Sequence, residues 1–259
     1  MTKRQPVKGA AAFSKTIAVL QLIADSEHPL TSAELVKITK IPRPTMRRIL
    51  KALVAEDMAE VRPGKTFVLG TRNIELARKA IDQNLLLQTI SEDLNWLSSE
   101  TEASIYLGIP MGNEFIYIAN RGEAQVPLGS FGCYHVCAIA KAYLAFVAED
   151  HREQIINSIE TPPLTEHNPT RQEQLRAELK ETATNGYSIA NQQFNKLGQK
   201  WLGACIFDAQ KTPCAGIGLN MVLSQADAAR NSSLLSSLLQ CRDQINQKLK
   251  QSEFKRSLA

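Results

Sequence analysis

No acidic residue precedes Asp25 in this sequence of 259 residues, whereas Lys3, Arg4, Lys8 and Lys15 do. A self-neutralising start is thereby excluded, and residues 1–13 read as a basic flexible arm suited to a polyanion. Apolar runs of bilayer-spanning length are missing, and Met1–Phe13 lacks the apolar core of a secretory signal, so a cytoplasmic protein with no membrane partner is expected. Cysteine is scarce: Cys133, Cys137, Cys205, Cys214 and Cys241 are odd in number and scattered, which argues for reduced thiols over a disulfide framework. Cys133-x-His135-x-Cys137 puts two thiols and an imidazole on alternate positions of an extended segment, a spacing that suits zinc. The second ligand pair of a structural zinc site is lacking, as is an acid or amide spaced to orient a Cys-His nucleophile, so neither cofactor nor enzymatic chemistry is expected.

What is present is ordinary globular material, 44% hydrophobic and 22% charged, in a chain long enough for two cores. The net charge of +4 conceals a segregation, because residues 1–80 carry +8 and the remainder −4. Clustered Lys and Arg at one end fit a nucleic-acid-binding head, since displacing counterions from phosphates rewards such clustering. An enzyme with an incidental basic end accounts for the second core but not for this asymmetry.

Residues 14–70 read as a winged helix-turn-helix. Ile17, Leu20 and Ile23 make a helical stripe from Ser14, and Thr31-x-x-Glu34 is a capping box that opens a second helix through Ile38. A third helix follows the turn Lys40-Ile41-Pro42: Met46, Ile49, Leu50 and Leu53 share one face, and Arg47, Arg48 and Lys51 lie on the other. Pro44 fits its first turn, and Thr45 is small enough to bring that turn close to another surface. Two strand-like runs, Ala59–Arg62 and Thr66–Leu69, flank Pro63-Gly64-Lys65 as a wing. Helix, helix, basic helix and wing place the third helix in a major groove, with Arg47, Arg48 and Lys51 facing DNA and Arg43, Thr45, Arg62 and Lys65 on phosphates.

Residues 71–84 read as a linker helix capped by Thr71, and residues 85–259 as an α+β domain, an antiparallel sheet with helices around it. Expected strands are Ala103–Ile109, Glu114–Ala119, Gln125–Phe131, Trp201–Phe207 and Cys214–Asn220. Expected helices begin at Leu86 and Gln225 and run over Cys137–Ala148, His151–Ile159 and Arg171–Thr184; a loop covers 161–169, and Asn185-Gly186 is a C-cap.

Leu30-Thr31-Ser32-Ala33-Glu34-Leu35, Ile41 to Leu50, Ala140-Lys141-Ala142-Tyr143-Leu144-Ala145, Gly186-Tyr187-Ser188 and Leu202 to Asp208 together resemble the IclR-type bacterial transcriptional regulators, over nearly the whole chain. The resemblance implies a winged head, a linker helix and a GAF-like effector domain, assembled as a homodimer or homotetramer on operator DNA. Arg48 then has a second reading, bracing the fold. The resemblance also implies an effector pocket between Gly129–Ala140 and Asn191–Asn220, and assigns to it Leu128, Gly129, Phe131, His135, Ala138, Ile139, Asn191, Trp201, Gly218 and Asn220. Here the family's acid and cysteine correspond to Asn191 and Trp201, and its serines to Gly218 and Asn220. These departures remove ionic grip and add a flat apolar wall, pointing away from glyoxylate or pyruvate and toward a larger aromatic or acyl effector. Three alternatives remain open: Trp201 lines a site, Trp201 plugs it, or the domain has lost its ligand and only oligomerises. Symmetric pairing of two heads, through the apolar Ile17, Leu20 and Ala24, would require a near-palindromic operator.

Overall fold

A computed structural model describes residues 10–123, 125–159, 172–191, 199–222, 228–252 and 254. The chain divides into two compact units, 1–84 and 85–259. Most of the basic arm, and the loop expected at 161–169, lie outside the described residues.

The first unit contains α1 (Ala11–Asp25), β1 (Leu30–Thr31), α2 (Ser32–Thr39), α3 (Arg43–Ala55), β2 (Ala59–Arg62), β3 (Thr66–Leu69) and α4 (Arg72–Asp82). Helix α1 begins three residues before the expected Ser14, because Ala11 and Ala12 are strong helix formers that carry the helix into the arm. The capping box forms: Glu34 N–H donates to Thr31 Oγ1 at 3.3 Å, and Thr31 N–H donates to Glu34 Oε2 at 2.7 Å. That backbone bond, with a second from the Thr31 hydroxyl, holds the Glu34 carboxyl below its usual range. Strand β1, absent from the sequence reading, pairs with β3 to give the sheet order β1-β3-β2. Val19, Leu35, Met46, Ile49, Leu50 and Leu53 form the core under this sheet.

Helix α4 has no buried residue, and Ile74 is 72% exposed. Its polar side carries the pairs Arg72–Glu75, Lys79–Glu75 and Arg78–Asp82. Thr71 does not cap it, since its side chain makes no capping bond. The start is tied down instead by Arg72 N–H on Asp57 O and by Asn73 Nδ2 on Met58 O and Gly70 O.

The second unit runs α5 (Leu85–Thr101), β4 (Ser104–Met111), β5 (Glu114–Arg121), β6 (Phe131–Gly132), α6 (Ala138–Leu144), α7 (Glu149–Ser158), α8 (Gln172–Asn185), β7 (Ser188–Asn191), β8 (Gln199–Phe207), β9 (Pro213–Val222) and α9 (Ala228–Gln251). All strand pairs are antiparallel, in the order β6-β5-β4-β9-β8-β7. Strand alternation sends Ile105, Leu107, Leu202, Ile206, Ile217 and Leu219 to one face, where α5 and α9 pack. Asp93 of α5, 5% exposed, receives Lys248 Nζ of α9 on both oxygens at 2.8 Å.

The opposite face carries α6, and glycines decide how closely it sits. A Cβ at Gly203 would lie 2.6 Å from the backbone of Ala138, and one at Gly218 would lie 2.5 Å from Ile139 Cγ1. Gly186 closes α8 as expected, with φ +79° and its N–H on Thr182 O. The expected strand Gln125–Phe131 is reduced to Phe131–Gly132: Gly129 takes φ +83°, and Gln125 N–H goes to the Tyr106 hydroxyl instead of a ladder. Strand β7 was not anticipated. The helix expected from Cys137 to Ala148 stops at Leu144, and a separate helix starts at Glu149.

Candidate functional site

On α3 the apolar stripe is buried as its spacing requires, with Met46 at 0% and Ile49, Leu50 and Leu53 at 8%, 4% and 5% exposure. The other side is open. Arg43, Pro44, Arg47, Arg48 and Lys51 line a single shallow groove along the helix. None of those four cations is in an ion pair among the described residues, so their charge faces solvent undiminished. Arg48 is exposed and in no ion pair among the described residues. Pro42 supplies no side-chain cap and Pro44 sits in the first turn, so the positive end of the helix dipole stays open beside the half-buried Thr45. On the wing, Lys65 occupies the tip with φ +57°, while Arg62 leans on Glu60 at 3.4 Å.

The second constellation lies where α6 meets the sheet. Tyr106, Gly218, Gly203 and Ser188 form one row across β4, β9, β8 and β7, and Ser104, Asn220, Trp201 and Ala190 form the next. The start of α6 lands on the first row, where Ser188 Oγ donates to Ala138 O. Trp201, 3% exposed, fills the second row and meets Tyr106 with ring centroids 4.9 Å apart. Asn220 Nδ2 donates to Gln199 Oε1 at 3.0 Å, and Gln199 Nε2 to Gln125 Oε1 at 3.3 Å. A chain of amides thus connects the sheet end to the loop before β6.

Of the residues assigned to an effector pocket, Trp201, Ala138 and Ile139 share one buried cluster with Tyr106, Tyr117 and Cys137, and Gly218 lies directly under Ile139. Asn220 stands beside Trp201 in register. His135 is 8% exposed, and its Nε2 has no hydrogen-bond partner among the described residues. Burial, followed by the Lys141 ammonium, pushes the pKa of His135 down and keeps the imidazole neutral. Leu128 and Phe131 are not brought in: both are about half exposed, and Phe131 points away from α6, because the alternate Gly132 is the position facing Cys137. Gly129 makes the turn before β6. Asn191 ends β7 opposite Lys200, and its side chain lies outside the described residues. Sequence reasoning missed Tyr106, Tyr117, Gln125 and Gln199. The period-two alternation Ser104, Tyr106, Gly108 held the signal for Tyr106, whereas the two glutamines have none.

Cys137 Sγ lies 2.9 Å from the Tyr117 hydroxyl. Burial pushes the Cys137 thiol up and the Tyr117 phenol well above its usual value, so both stay protonated near neutral pH and neither is a nucleophile. Cys133 is exposed, and no group of three His, Cys, Asp or Glu among the described residues is placed to hold a metal.

A compact helical head with a wing and an uncompensated cationic third helix, followed by an antiparallel α+β unit, defines a winged-helix DNA-binding protein with an attached second domain. The chain belongs to the IclR family of bacterial transcriptional regulators and is not an enzyme: the family model for the IclR helix-turn-helix domain matches residues 12–63, and that for the bacterial transcriptional regulator IclR C-terminal region matches 78–247. The probable transcriptional regulator SauR of Cupriavidus necator is 25% identical over 222 residues, 83% of this chain and 87% of that protein. An IclR family regulator from Brucella abortus superposes with a TM-score of 0.79 at 17% identity, covering 95% of this chain and 94% of that one. An IclR homologue from Microbacterium hydrocarbonoxydans, solved with 4-hydroxybenzoate, superposes with a TM-score of 0.71 at 16% identity, covering 92% and 100%. At these identities the two structures speak to the fold. Among the described residues no helix is long and apolar enough to cross a membrane.

Proposed function

We propose that this regulator binds a near-palindromic double-stranded operator as a homodimer or homotetramer, reading bases with Arg47, Arg48 and Lys51. Arg43, Thr45, Lys65 and Arg62 hold phosphates, and Pro44 fixes the first turn close to the backbone. The observation that carries this reading is the groove on α3, where four cations converge with no carboxylate paired to them among the described residues. Each base-reading arginine lost costs on the order of 1–3 kcal/mol and relaxes specificity, whereas each lost phosphate contact lowers the salt slope by about one. Operator binding across a salt series, for wild type and for Arg47→Ala/Arg48→Ala/Lys51→Ala, is the test. An unchanged affinity in the triple variant would remove the assignment.

The second domain senses an aromatic or acyl effector that lies against Trp201, with Asn220 and His135 Nε2 as polar anchors for a carbonyl or hydroxyl. The relative solved with 4-hydroxybenzoate supports a ring-bearing ligand in this fold. A second reading, that Trp201 plugs the pocket and the domain only assembles, is favoured by the 3% exposure of its indole. A thermal-shift screen of the full chain with aromatic acids, lactones, glyoxylate and pyruvate decides. Stabilisation by ring or acyl compounds supports sensing, stabilisation by the two small acids alone overturns the ligand class, and silence throughout favours the plug.

A further inference from the structure

A crevice of about 100 Å³ opens between α6, α8 and β7, and it shares no lining residue with the Trp201 cluster. It is well under the roughly 300–1,000 Å³ of sites for drug-sized molecules, so its occupant has only a handful of heavy atoms. Lys141 forms the floor, 1% exposed, with Nζ 2.8 Å from Glu178 Oε2. A buried lysine needs a carboxylate nearby, and this crevice has two. Glu181 stands one turn beyond Glu178 on the same face of α8, and Asn185 one turn further. Thr182, 5% exposed, also lines the crevice.

The charges select the ligand class. A plain carboxylate is drawn to Lys141 but repelled by Glu178 and Glu181, and a plain ammonium meets the opposite conflict. A molecule carrying both charges a few ångströms apart resolves the two, and one with a small side chain fits the volume. We infer that the crevice is a second small-molecule site, for a zwitterion of the small α-amino-acid class, with its carboxylate on Lys141, its ammonium between Glu178 and Glu181, and a contact to the Thr182 hydroxyl. This site is independent of effector binding at Trp201.

Isothermal titration of the full chain with glycine, L-alanine and L-serine, and with acetate and methylammonium as half-ligands, tests the inference. At least one amino acid should saturate a single site per chain, with each half-ligand weaker by about tenfold or more. Glu181→Gln, at an exposed position that leaves the fold intact, should weaken the amino acid by about tenfold, and Thr182→Val by a few-fold. Trp201→Phe should leave the affinity unchanged. The inference is overturned by lack of saturation at tens of millimolar, by acetate or methylammonium binding as tightly as the amino acid, or by Glu181→Gln or Trp201→Phe behaving otherwise.

Discussion

Trp201→Ala removes the largest side chain packed near the start of α6, and the surroundings set how much stability is lost with it. The indole is 3% exposed and packs on Tyr106 at 4.9 Å between centroids. Truncating a buried tryptophan costs about 3–5 kcal/mol, of which the ring pair accounts for roughly 0.5–1.5. Relaxation usually lowers such a cost, but here little can move in: Gly203 and Gly218 have no side chains to swing, and the α6 backbone already rests on Gly203 and the Ile139 side chain on Gly218. The upper half of the range, about 4 kcal/mol, is therefore expected. With a urea m-value of about 2 kcal/mol per molar, the unfolding midpoint of the second unit falls by about 2 M. Far-UV circular dichroism of the full chain in urea measures it. Indole added to the variant should restore part of the loss by refilling an apolar cavity. A loss under about 1 kcal/mol, or no response to indole, would refute the packing described for this residue. In parallel, a ring compound that stabilises wild type but not the variant marks Trp201 as a wall of the site, whereas one that stabilises neither marks it as a plug.

Gly203→Val should destabilise the second unit by about 1–3 kcal/mol or more, because the nearest obstacle is the Ala138 backbone, which cannot rotate away; calorimetry matching wild type would contradict that contact. Thr31→Ala should cost the head about 1 kcal/mol in thermal unfolding through loss of the capping box. Because Glu34 is held below its usual range when folded, its stabilisation is present above the ordinary carboxylate pKa and is lost as pH falls through the folded value; wild type should therefore lose stability on acidification faster than Glu34→Gln, and parallel pH profiles would count against the cap. Light scattering at micromolar concentration should give at least a dimer, and a monomer that binds a half-site with full affinity would exclude the symmetric operator.

The head was legible because its signals are local. The Thr31–Glu34 box, the Met46, Ile49, Leu50, Leu53 stripe and the Gly64 turn each occupy a few consecutive residues, and tertiary packing does not override them. Charge misled at one point: Lys3, Arg4, Lys8 and Lys15 suggested an arm to residue 13, while the alanines at 11 and 12 favoured helix. In the second unit the α5 and α9 face followed from period-two and helical patterns. The α6 face was obscure, because its rule is close approach over glycines of the β8–β9 hairpin, which lies far along the chain from α6. Phe131 was assigned to a pocket by its place in a segment, but a single alternation beside Gly132 turns it outward. Gln125 and Gln199 met only through folding, 74 positions apart, and nothing near either announces the other.

Helix α4 gives a different kind of access to the protein. Eleven residues with no buried side chain are fewer than the roughly 12–15 that hold a helix in water unaided, and the surface pairs Arg72–Glu75 and Arg78–Asp82 add only tenths of a kcal/mol each. Its amide protons should therefore exchange with deuterated solvent almost as fast as local fraying permits, unless another surface covers Ile74. Their protection reads out, residue by residue and without a label, whether that side of the helix is occupied, so dilution or operator addition can be followed as a change in exchange rate over one short stretch of the chain.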